Sequence, residues 1–374
     1  MAVQSSGARL ETPNGSHANT KRFFDLSVDM LCIAGTDGYF KHVNRSWSRI
    51  LGYSAEELMS IPYLDFVHPD DRDLTIAEAT KLALGFETVH FRNRYRCKDG
   101  SYRWLAWTAG GAQGDVIYAG ARDISLEMEA QEEELMETLQ RLQRINAMLS
   151  GRNCSMRFQP IVDFRNGDVI GMEALARFKA PPRQPPDHWF AEADAVGLLP
   201  ELEMAAIEAA IPNVAAVPRG QFLSVNVSPE TLLTKDFSHI IENIDGTRLV
   251  VEVTEHAAVH DYKQLNMAIA QLRQHGIRLA IDDAGAGFSS LKHIIRLVPD
   301  FIKLDMFLTR DIHVDPVKRA LATAMVGFAS DIGSRLIAEG VETARELDAL
   351  GDIGFQQAQG FFLGRPGRSI IQAN

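Results

Sequence analysis

The sequence is poor in cysteine, carries no excess of positive charge and contains no long apolar run. Its three cysteines, Cys32, Cys97 and Cys154, are odd in number and scattered, so they predict neither a disulfide framework nor a Cys-x-x-Cys metal site. This pattern favours a reducing, cytoplasmic location. The net charge of −11 at pH 7 disfavours polymeric nucleic acid as a partner, because neutralising phosphates takes basic residues. No apolar run reaches the roughly 18 residues of a membrane span, so no membrane partner is expected.

The N-terminal stretch also lacks the apolar centre of a signal peptide. It is rich in Ser, Asn and Gly, which predicts a disordered tail over residues 1–21. The length of the chain suits two or three domains. Changes of pattern divide the rest into three blocks, at 22–123, 124–150 and 151–374.

The block at 22–123 shows short alternating strands with glycine turns. "DMLCIAGTDGYFKHVN" predicts one hairpin, turning at Thr36-Asp37-Gly38, and "HFRNRYRCKDGSYRWLAWTA" predicts another, turning at Lys98-Asp99-Gly100. "DVIYAGARDIS" adds a strand, whereas "SWSRILGYSAEELMSI" and "HPDDRDLTIAEATKLAL" have a helical pattern. We therefore expect an α+β domain, an antiparallel sheet with helices on one side.

The block at 124–150 contains neither glycine nor proline and is strongly charged. Apolar residues recur in it every seven residues, with two more alongside: Met128, Leu135, Leu142 and Leu149, then Leu139 and Ile145. This spacing predicts a helix of roughly 40 Å that joins two copies of the chain as a parallel coiled coil. The alternative is a helix that packs on its own domain.

The block at 151–374 alternates apolar runs with helical stretches. Eight such runs predict an α/β fold, a (β/α)8 barrel. In chain order they are "RFQPIVDF", "VIGMEALARF", "FLSVNVS", "RLVVEVTE", "RLAIDDAG", "DFIKLDM", "RLIAEGVE" and "GFQQAQGFFLG".

Polar side chains stand at the ends of these runs, although barrel strands are buried. They are Glu173, Asn226, Glu252, Asp282, Asp283, Lys303, Asp305, Glu339, Glu342 and Gln359. A single one would fit a turn or a helix cap. The carboxyl ends of barrel strands meet at one mouth, where such barrels hold their active sites. The set therefore predicts an active site.

The charge of this set predicts metal ions. Two carboxylates about 4 Å apart repel by about 4 kcal/mol at an effective dielectric constant near 20. All candidate ligands are oxygen donors, which favours Mg²⁺ or Mn²⁺ over Zn²⁺ or copper. The adjacent Asp282 and Asp283 could hold two ions close together, an arrangement that activates water for phosphodiester cleavage. Lys303 and Arg177 would supply positive charge for a phosphate substrate.

These residues resemble the motifs of EAL-domain cyclic-di-GMP phosphodiesterases. "GMEALARF" contains the Glu-Ala-Leu motif, and "SVNVSP", "EVTE", "DDAGAGFSSL", "FIKLD", "AEGVE" and "QAQGFFLGRP" follow in the family's order. The resemblance implies hydrolysis of cyclic di-GMP to linear pGpG with two Mg²⁺ or Mn²⁺ ions. The alternative is a catalytically silent receptor for cyclic di-GMP, but the sequence retains every expected ligand.

The resemblance also implies a role for each matching residue. Ligands of the first metal ion would be Glu173, Asn226, Glu252 and Asp282, and those around the second Asp282, Asp283 and Glu339. Lys303 would lie near the hydrolytic water, and Glu255 would anchor the loop after Asp283. Substrate contacts and further site residues would be Gln159, Arg177, Asp305, Glu342 and Gln359. The catalytic base is left open between Lys303 and a carboxylate.

The departures from the family pattern spare the metal ligands. Ala284 stands where an aromatic residue is usual, and Phe288 where a tyrosine is common. No GGDEF cyclase motif is present, so a bifunctional enzyme is not expected.

The block at 22–123 resembles a PAS domain in "GTDGYFKHVNRSWSRILGYSAEEL", "VHPDDR" and "RYRCKDGSYRWLAW". The resemblance implies a sensor of unknown ligand, in a family whose members often dimerise. The apolar seam of the linking helix predicts that this sensor regulates the barrel through that helix. No flavin-adduct cysteine motif is present, and the isolated His42 and His68 are not favoured as haem ligands. The expected organisation is therefore PAS domain, coiled coil and EAL barrel in a homodimer.

Overall fold

The computed structural model describes residues 14–151, 153–242, 244–253, 261–284 and 288–370. The chain divides into two compact units, and the division falls between Met136 and Glu137, inside one long helix. Each unit has its own core of buried apolar side chains.

The first unit is built on one antiparallel sheet. Its elements are α1 (Asn14–Leu26), β1 (Met30–Gly35), β2 (Phe40–Val43), α2 (Arg45–Leu51), α3 (Ala55–Ser60), α4 (Arg72–Ala83), β3 (Thr88–Arg96), β4 (Tyr102–Ala109) and β5 (Val116–Asp123). Two short 3-10 helices, Tyr63–Phe66 and Pro69–Asp71, precede α4. The strand order is β2-β1-β5-β4-β3. Both predicted hairpins are confirmed, β1 with β2 and β3 with β4.

Aromatic side chains fill the core of this unit. Trp47 is fully buried, and its ring centroid lies 4.8 Å from that of Phe40 and 5.8 Å from that of Trp107. Ser54 and Glu57 form a capping box at the start of α3, which satisfies backbone N–H groups there. Cys32 is buried in the same core, and burial raises the pKa of its thiol to about 12, so it is present as the neutral thiol.

The structure differs from the predicted tail over residues 1–21. Helix α1 covers Asn14–Leu26, and residues 1–13 lie outside the described part. The end of α1 is held by a hydrogen bond, because the Asn44 side chain donates to the Phe24 carbonyl at 3.0 Å. This contact joins residues that are 20 positions apart in the chain, so the local composition does not predict it.

The linking segment is a single helix, α5 (Ser125–Ser150), as predicted. Its second half packs on the second unit: Ile145 and Met148 are buried in a cluster with Trp189. Arg144 makes two hydrogen bonds with Glu192, of 3.0 and 2.9 Å. Leu135 and Leu139 remain exposed. The alternative of a helix packed on its own domain therefore holds for the last turns, and the coiled coil stays a prediction.

The second unit is the predicted barrel. After α5 its elements are β6 (Cys154–Asp163), β7 (Asp168–Phe178), α6 (Pro186–Ala195), α7 (Leu199–Ala210), β8 (Phe222–Asn226), α8 (Pro229–Leu232), α9 (Lys235–Ile241), β9 (Leu249–Val253), α10 (Tyr262–Gln274), β10 (Arg278–Ala284), α11 (Phe288–Leu297), β11 (Phe301–Leu304), α12 (Met306–Thr309), α13 (Pro316–Asp331), β12 (Arg335–Ala338), α14 (Ala344–Ile353) and β13 (Gln357–Ala358). Short 3-10 helices lie at Ile211–Ala216 and Gly246–Arg248.

Eight strands close the barrel in the order β10-β11-β12-β13-β6-β7-β8-β9. Strands β7 to β13 all run parallel to one another. Strand β6 is antiparallel to both of its neighbours, β7 and β13. A regular (β/α)8 barrel would have all strands parallel. The exception follows from the short connection between Asp163 and Asp168, which makes β6 and β7 a hairpin.

The amino-terminal end of the barrel is filled by apolar side chains. Phe222 and Phe301, the first residues of β8 and β11, lie with ring centroids 5.1 Å apart. The opposite end is therefore the open one that can hold a site. None of the described helices combines the length and apolar character that crossing a bilayer requires.

Candidate active site

The strand register brings the first group of predicted ligands together. Asn226 at the end of β8 pairs with Glu252 of β9, and Glu252 pairs with Ala280 of β10, two residues before Asp282. On the other side Glu173 of β7 pairs with Gln159 of β6. One carboxylate oxygen from each of Glu173, Glu252 and Asp282 lies within 4.8 Å of the others.

Lys303 on β11 lies among these carboxylates. Its Nζ atom is 2.7 Å from a Glu252 oxygen, 2.8 Å from a Glu339 oxygen and 3.0 Å from an Asp282 oxygen. A Glu173 oxygen lies further away, at 3.6 Å. Lys303 is only 1% exposed, so these contacts occur away from bulk water. Its three N–H donors therefore match three carboxylates.

The pKa values record how charged this environment is. Burial alone would lower the pKa of Lys303, but Asp282, Glu173, Glu252 and Glu339 outweigh it and raise that pKa well above its usual value. Burial raises the pKa of Glu252 to about 8, against the opposing effect of Lys303. Burial, followed by the Asp282 charge, also raises the pKa of Glu339 well above its usual range. Glu252 and Glu339 therefore favour their protonated forms more than exposed carboxyl groups do, because burial and the neighbouring carboxylates oppose further negative charge.

A second group of carboxylates adjoins the first. Oxygens of Asp282, Asp283 and Glu339 lie within 4.8 Å of one another. The backbone at Asp283 has a φ of 55°, in the left-handed region, and its N–H donates to Asp282 Oδ1 at 3.1 Å. Because of this uncommon conformation, the carboxylates of Asp282 and Asp283 lie close together although the two residues are consecutive in one strand. Asp282 belongs to both groups and can bridge them.

Two glutamines form the polar wall of the site. The Gln359 amide nitrogen donates to Glu173 Oε2 at 2.5 Å and to Gln159 Oε1 at 3.2 Å. Gln359 Oε1 is buried without a hydrogen-bond partner among the described residues. Gln159, Gln359 and Glu339 line a pocket of about 240 Å³. An unpaired buried acceptor beside such a pocket is available to a ligand.

Three further predicted residues lie around the pocket or beside it. Asp305 and Glu342 line it, but each also has a local partner: Asp305 caps α12, and Glu342 lies 3.0 Å from Arg310. Arg177 lines a neighbouring open cleft of about 1230 Å³ instead, and its Nη1 donates to the Ala176 carbonyl at 2.7 Å. Asn226 lines the same cleft. The prediction for Glu255 falls outside the described residues.

Two residues of the surroundings were not predicted. Glu346 accepts from the backbone N–H groups of Glu342, Thr343 and Asp311, and so holds the loop that follows Glu339. The Thr-x-x-Glu spacing of a capping box was a readable signal for it. Glu203 on α7 accepts a hydrogen bond from Ser228, and no local sequence pattern predicts that contact.

The residues fit divalent metal ions. Glu173, Glu252, Asp282, Asp283 and Glu339 are hard oxygen donors, and Asn226 lies beside them, its Nδ2 3.1 Å from Glu173 Oε1. Lys303 contacts four of these carboxylates, those of Glu173, Glu252, Asp282 and Glu339. When all four are ionised they exceed the charge of one ammonium, and bound cations would compensate the difference and favour the ionised forms of Glu252 and Glu339.

Comparison with known proteins agrees with this geometry. A family model of the EAL domain matches residues 139–366, which is more than half of the chain. The chain belongs to the EAL domain family. A model of the PAS fold matches residues 40–117. The EAL match begins inside α5, in keeping with the burial of Ile145 and Met148 against the barrel.

Individual relatives share the EAL domain. The cyclic di-GMP phosphodiesterase PdeR of Escherichia coli is 32% identical over 222 residues, 56% of this chain and 33% of that protein. The bifunctional diguanylate cyclase/cyclic di-GMP phosphodiesterase MucR of Pseudomonas aeruginosa is 28% identical over 243 residues, 62% of this chain and 35% of that protein. The chain spans about a quarter to a third of the first curated relatives it matches.

A solved structure gives the same picture. BlrP1 of Klebsiella pneumoniae, in a calcium/cy-diGMP complex, is 31% identical with a TM-score of 0.53, covering 59% of this chain and 57% of that one. More than half of this chain therefore shares its fold with a protein whose solved structure is a complex with calcium and cy-diGMP.

Proposed function

We propose that this chain is a metal-dependent phosphodiesterase that hydrolyses cyclic di-GMP to linear pGpG. The observation that carries the proposal is the cluster of four carboxylates around buried Lys303, with Asp283 adjoining it, at the open end of an EAL barrel. The named activities of PdeR and MucR and the cy-diGMP bound to BlrP1 support it.

In this proposal two Mg²⁺ or Mn²⁺ ions are held by the predicted ligands, Glu173, Asn226, Glu252 and Asp282 for one and Asp282, Asp283 and Glu339 for the other. When bound, these ions supply the acidity that activates water and the charge that stabilises the phosphodiester during cleavage. The donor set of carboxylate and amide oxygens, all without sulfur or imidazole, supports this choice of metal.

The chain's own residues would orient the reactants. Lys303 would donate hydrogen bonds near the attacking water, because the surrounding carboxylates favour its protonated form. Gln159 and Gln359 would contact the substrate from the wall of the pocket, and Arg177 would approach a phosphate from the neighbouring cleft. Asp305, Glu342 and Glu255 would hold the surrounding loops.

The reaction is a balanced hydrolysis. The oxygen of water forms a bond to one phosphorus atom, and the bond from that phosphorus to the ribose O3′ breaks. The leaving O3′ gains a proton as water loses one, so the product carries a 5′-phosphate and a free 3′-hydroxyl, which is linear pGpG.

The proposal extends to the organisation of the chain. A PAS sensor at 22–123 would regulate the EAL domain through α5, as a homodimer joined by the exposed apolar face of that helix. The three cysteines are free thiols, which suits a reducing, cytoplasmic location.

The decisive test is incubation of the purified chain with cyclic di-GMP and Mg²⁺ or Mn²⁺, with chromatography of the products. Appearance of pGpG that chelator prevents would support the enzyme. Tight binding of cyclic di-GMP without cleavage, in the full chain and in residues 137–374 alike, would contradict it in favour of a receptor.

A further inference from the structure

Strand β8 ends at Asn226, and the two residues that follow it are held by hydrogen bonds to other elements. Val227 is buried, and its N–H donates to the Glu252 carbonyl at 2.9 Å. Ser228 is also buried, and it starts helix α8 by accepting from the Thr231 N–H at 3.2 Å. The position of the Asn226 amide therefore depends on what fixes Ser228.

Glu203 on α7 makes that connection. Its Oε2 atom accepts from the backbone N–H of Ser228 at 2.9 Å and from the Ser228 hydroxyl at 2.7 Å. Both bonds involve a carboxylate and are thus stronger than bonds between neutral groups. Glu203 also lines the cleft next to Asn226 and Arg177. A single carboxylate oxygen therefore holds both donors of a residue two positions after a predicted metal ligand.

A role in capping α8 does not account for this contact. The hydroxyl oxygen of Ser228 already accepts from Thr231 as the N-cap of α8. Glu203 adds restraint from another helix, whose neighbouring residue Leu202 is fully buried in the cluster of Ile145, Met148 and Trp189. The restraint is therefore anchored in a packed part of the domain.

We propose that Glu203 is a positioning residue, which holds Asn226 in place beside Glu173 and Glu252 by binding Ser228. The inference rests on the proposed function, because it assigns the restraint to Asn226 as a metal ligand. Groups hydrogen-bonded to a metal ligand typically change metal affinity by about 10–100-fold when removed, and we expect the lower value for Glu203, which acts through Ser228. Glu203 would thus act on affinity without touching the metal ion.

The test is a calorimetric titration of the full chain with Mn²⁺ in the absence of substrate. We expect Glu203→Ala to weaken Mn²⁺ binding by about tenfold. Glu203→Gln retains an acceptor oxygen and is expected to stay within about threefold of the wild type. The control is Glu208→Ala, at an exposed position of the same helix, with affinity unchanged. Ser228→Ala keeps its N–H and is expected to weaken binding less than Glu203→Ala.

A double variant separates coupling from general damage. Adding Ser228→Ala to Glu203→Ala should weaken Mn²⁺ binding little further, because the two residues act through one contact. If Glu203→Ala fails to fold, Glu203→Gln and Ser228→Ala still test the proposal through their predicted order of affinities. Wild-type Mn²⁺ affinity in Glu203→Ala, with only KM for cyclic di-GMP raised, would overturn the proposal and make Glu203 a substrate contact. Wild-type protein that binds Mn²⁺ without hydrolysing cyclic di-GMP would overturn the proposed reaction and not this inference.

Discussion

Lys303 is a buried cation whose three nearest anions come from three different strands or strand ends. We expect Lys303→Met to keep Mn²⁺ binding, because every carboxylate remains, but to lower kcat for cyclic di-GMP by at least about 100-fold. Calorimetric Mn²⁺ titration beside steady-state kinetics checks this. The matched control is Lys263→Met, at an exposed position on α10. Loss of Mn²⁺ binding by Lys303→Met would instead assign Lys303 a structural role.

The protonation of Glu252 makes the free energy of unfolding depend on pH. Its folded-state pKa of about 8 exceeds its ordinary value of 4.5, chiefly because it is buried. Between these pH values the folded protein retains a proton that the unfolded chain has released, so the free energy of unfolding falls as the pH rises. This contribution is fully present below about pH 4.5 and is lost as the pH passes about 8.

We therefore expect the melting temperature of metal-free protein to decrease from about pH 5 to about pH 8. Saturating Mn²⁺ should reduce that slope, because cations stabilise the ionised carboxylates. Glu252→Gln serves as the control and should also flatten the metal-free profile. Calorimetry across this range checks the prediction, and a metal-free melting temperature that rises with pH would contradict it.

At this scale the sequence predicted which side chains lie close together better than it predicted their orientation. Glu173, Glu252 and Asp282 could be identified because parallel strands end at one mouth. The direction of Arg177 toward the neighbouring cleft depends on a side-chain conformation, which strand periodicity does not specify. Glu203 was missed because its partner Ser228 lies 25 residues further along the chain.

At the scale of elements, helix α5 combines two kinds of apolar position. Ile145 is fully buried against the barrel. We expect Ile145→Ala to lower the free energy of unfolding of the EAL domain by about 2–5 kcal/mol, because it leaves a cavity. Urea denaturation measures this, with Leu139→Ala as the control at a half-exposed position of the same helix. Equal losses in the two variants would contradict the assignment of Ile145 to the domain core.

The exposed positions of α5 test the coiled coil. Leu135 and Leu139 are 59% and 51% exposed, as expected for a seam that lacks its partner. We expect the double variant Leu135→Glu, Leu139→Glu to sediment as a monomer where the wild type sediments as a dimer. Thermal unfolding of the EAL domain should stay unchanged. Sedimentation velocity checks this, and a dimer that survives both substitutions would place the interface elsewhere.

Element types were more predictable than element directions. The alternation of apolar runs and helices identified the barrel, and turn residues identified the hairpins. The reversed direction of β6 was not anticipated, because an apolar run has the same pattern whichever way it points. Helix α1 was not predicted because its segment is only weakly apolar and is held by a tertiary contact, the hydrogen bond from Asn44 to the Phe24 carbonyl.

At the scale of the whole molecule, the proposed regulation can be tested by removing one unit, provided that the cut does not damage the other. Residues 137–374 retain Ile145 and Met148, whereas a cut at residue 150 would remove them from the core of the EAL domain. We expect residues 137–374 to hydrolyse cyclic di-GMP with a kcat that differs from that of the full chain by at least about threefold, and to dimerise less. Parallel kinetics and sedimentation check this, and identical values for both would contradict regulation by the PAS-fold unit.

The reversed strand β6 has a consequence for such regulation. Cys154, where β6 begins, pairs with Phe178, where β7 ends. The chain therefore joins the barrel at the rim that carries the carboxylates, whereas a first strand parallel to the rest would start at the floor filled by Phe222 and Phe301. A rotation or shift of α5 would thus reach the barrel at the end that holds these carboxylates, and not at the opposite end.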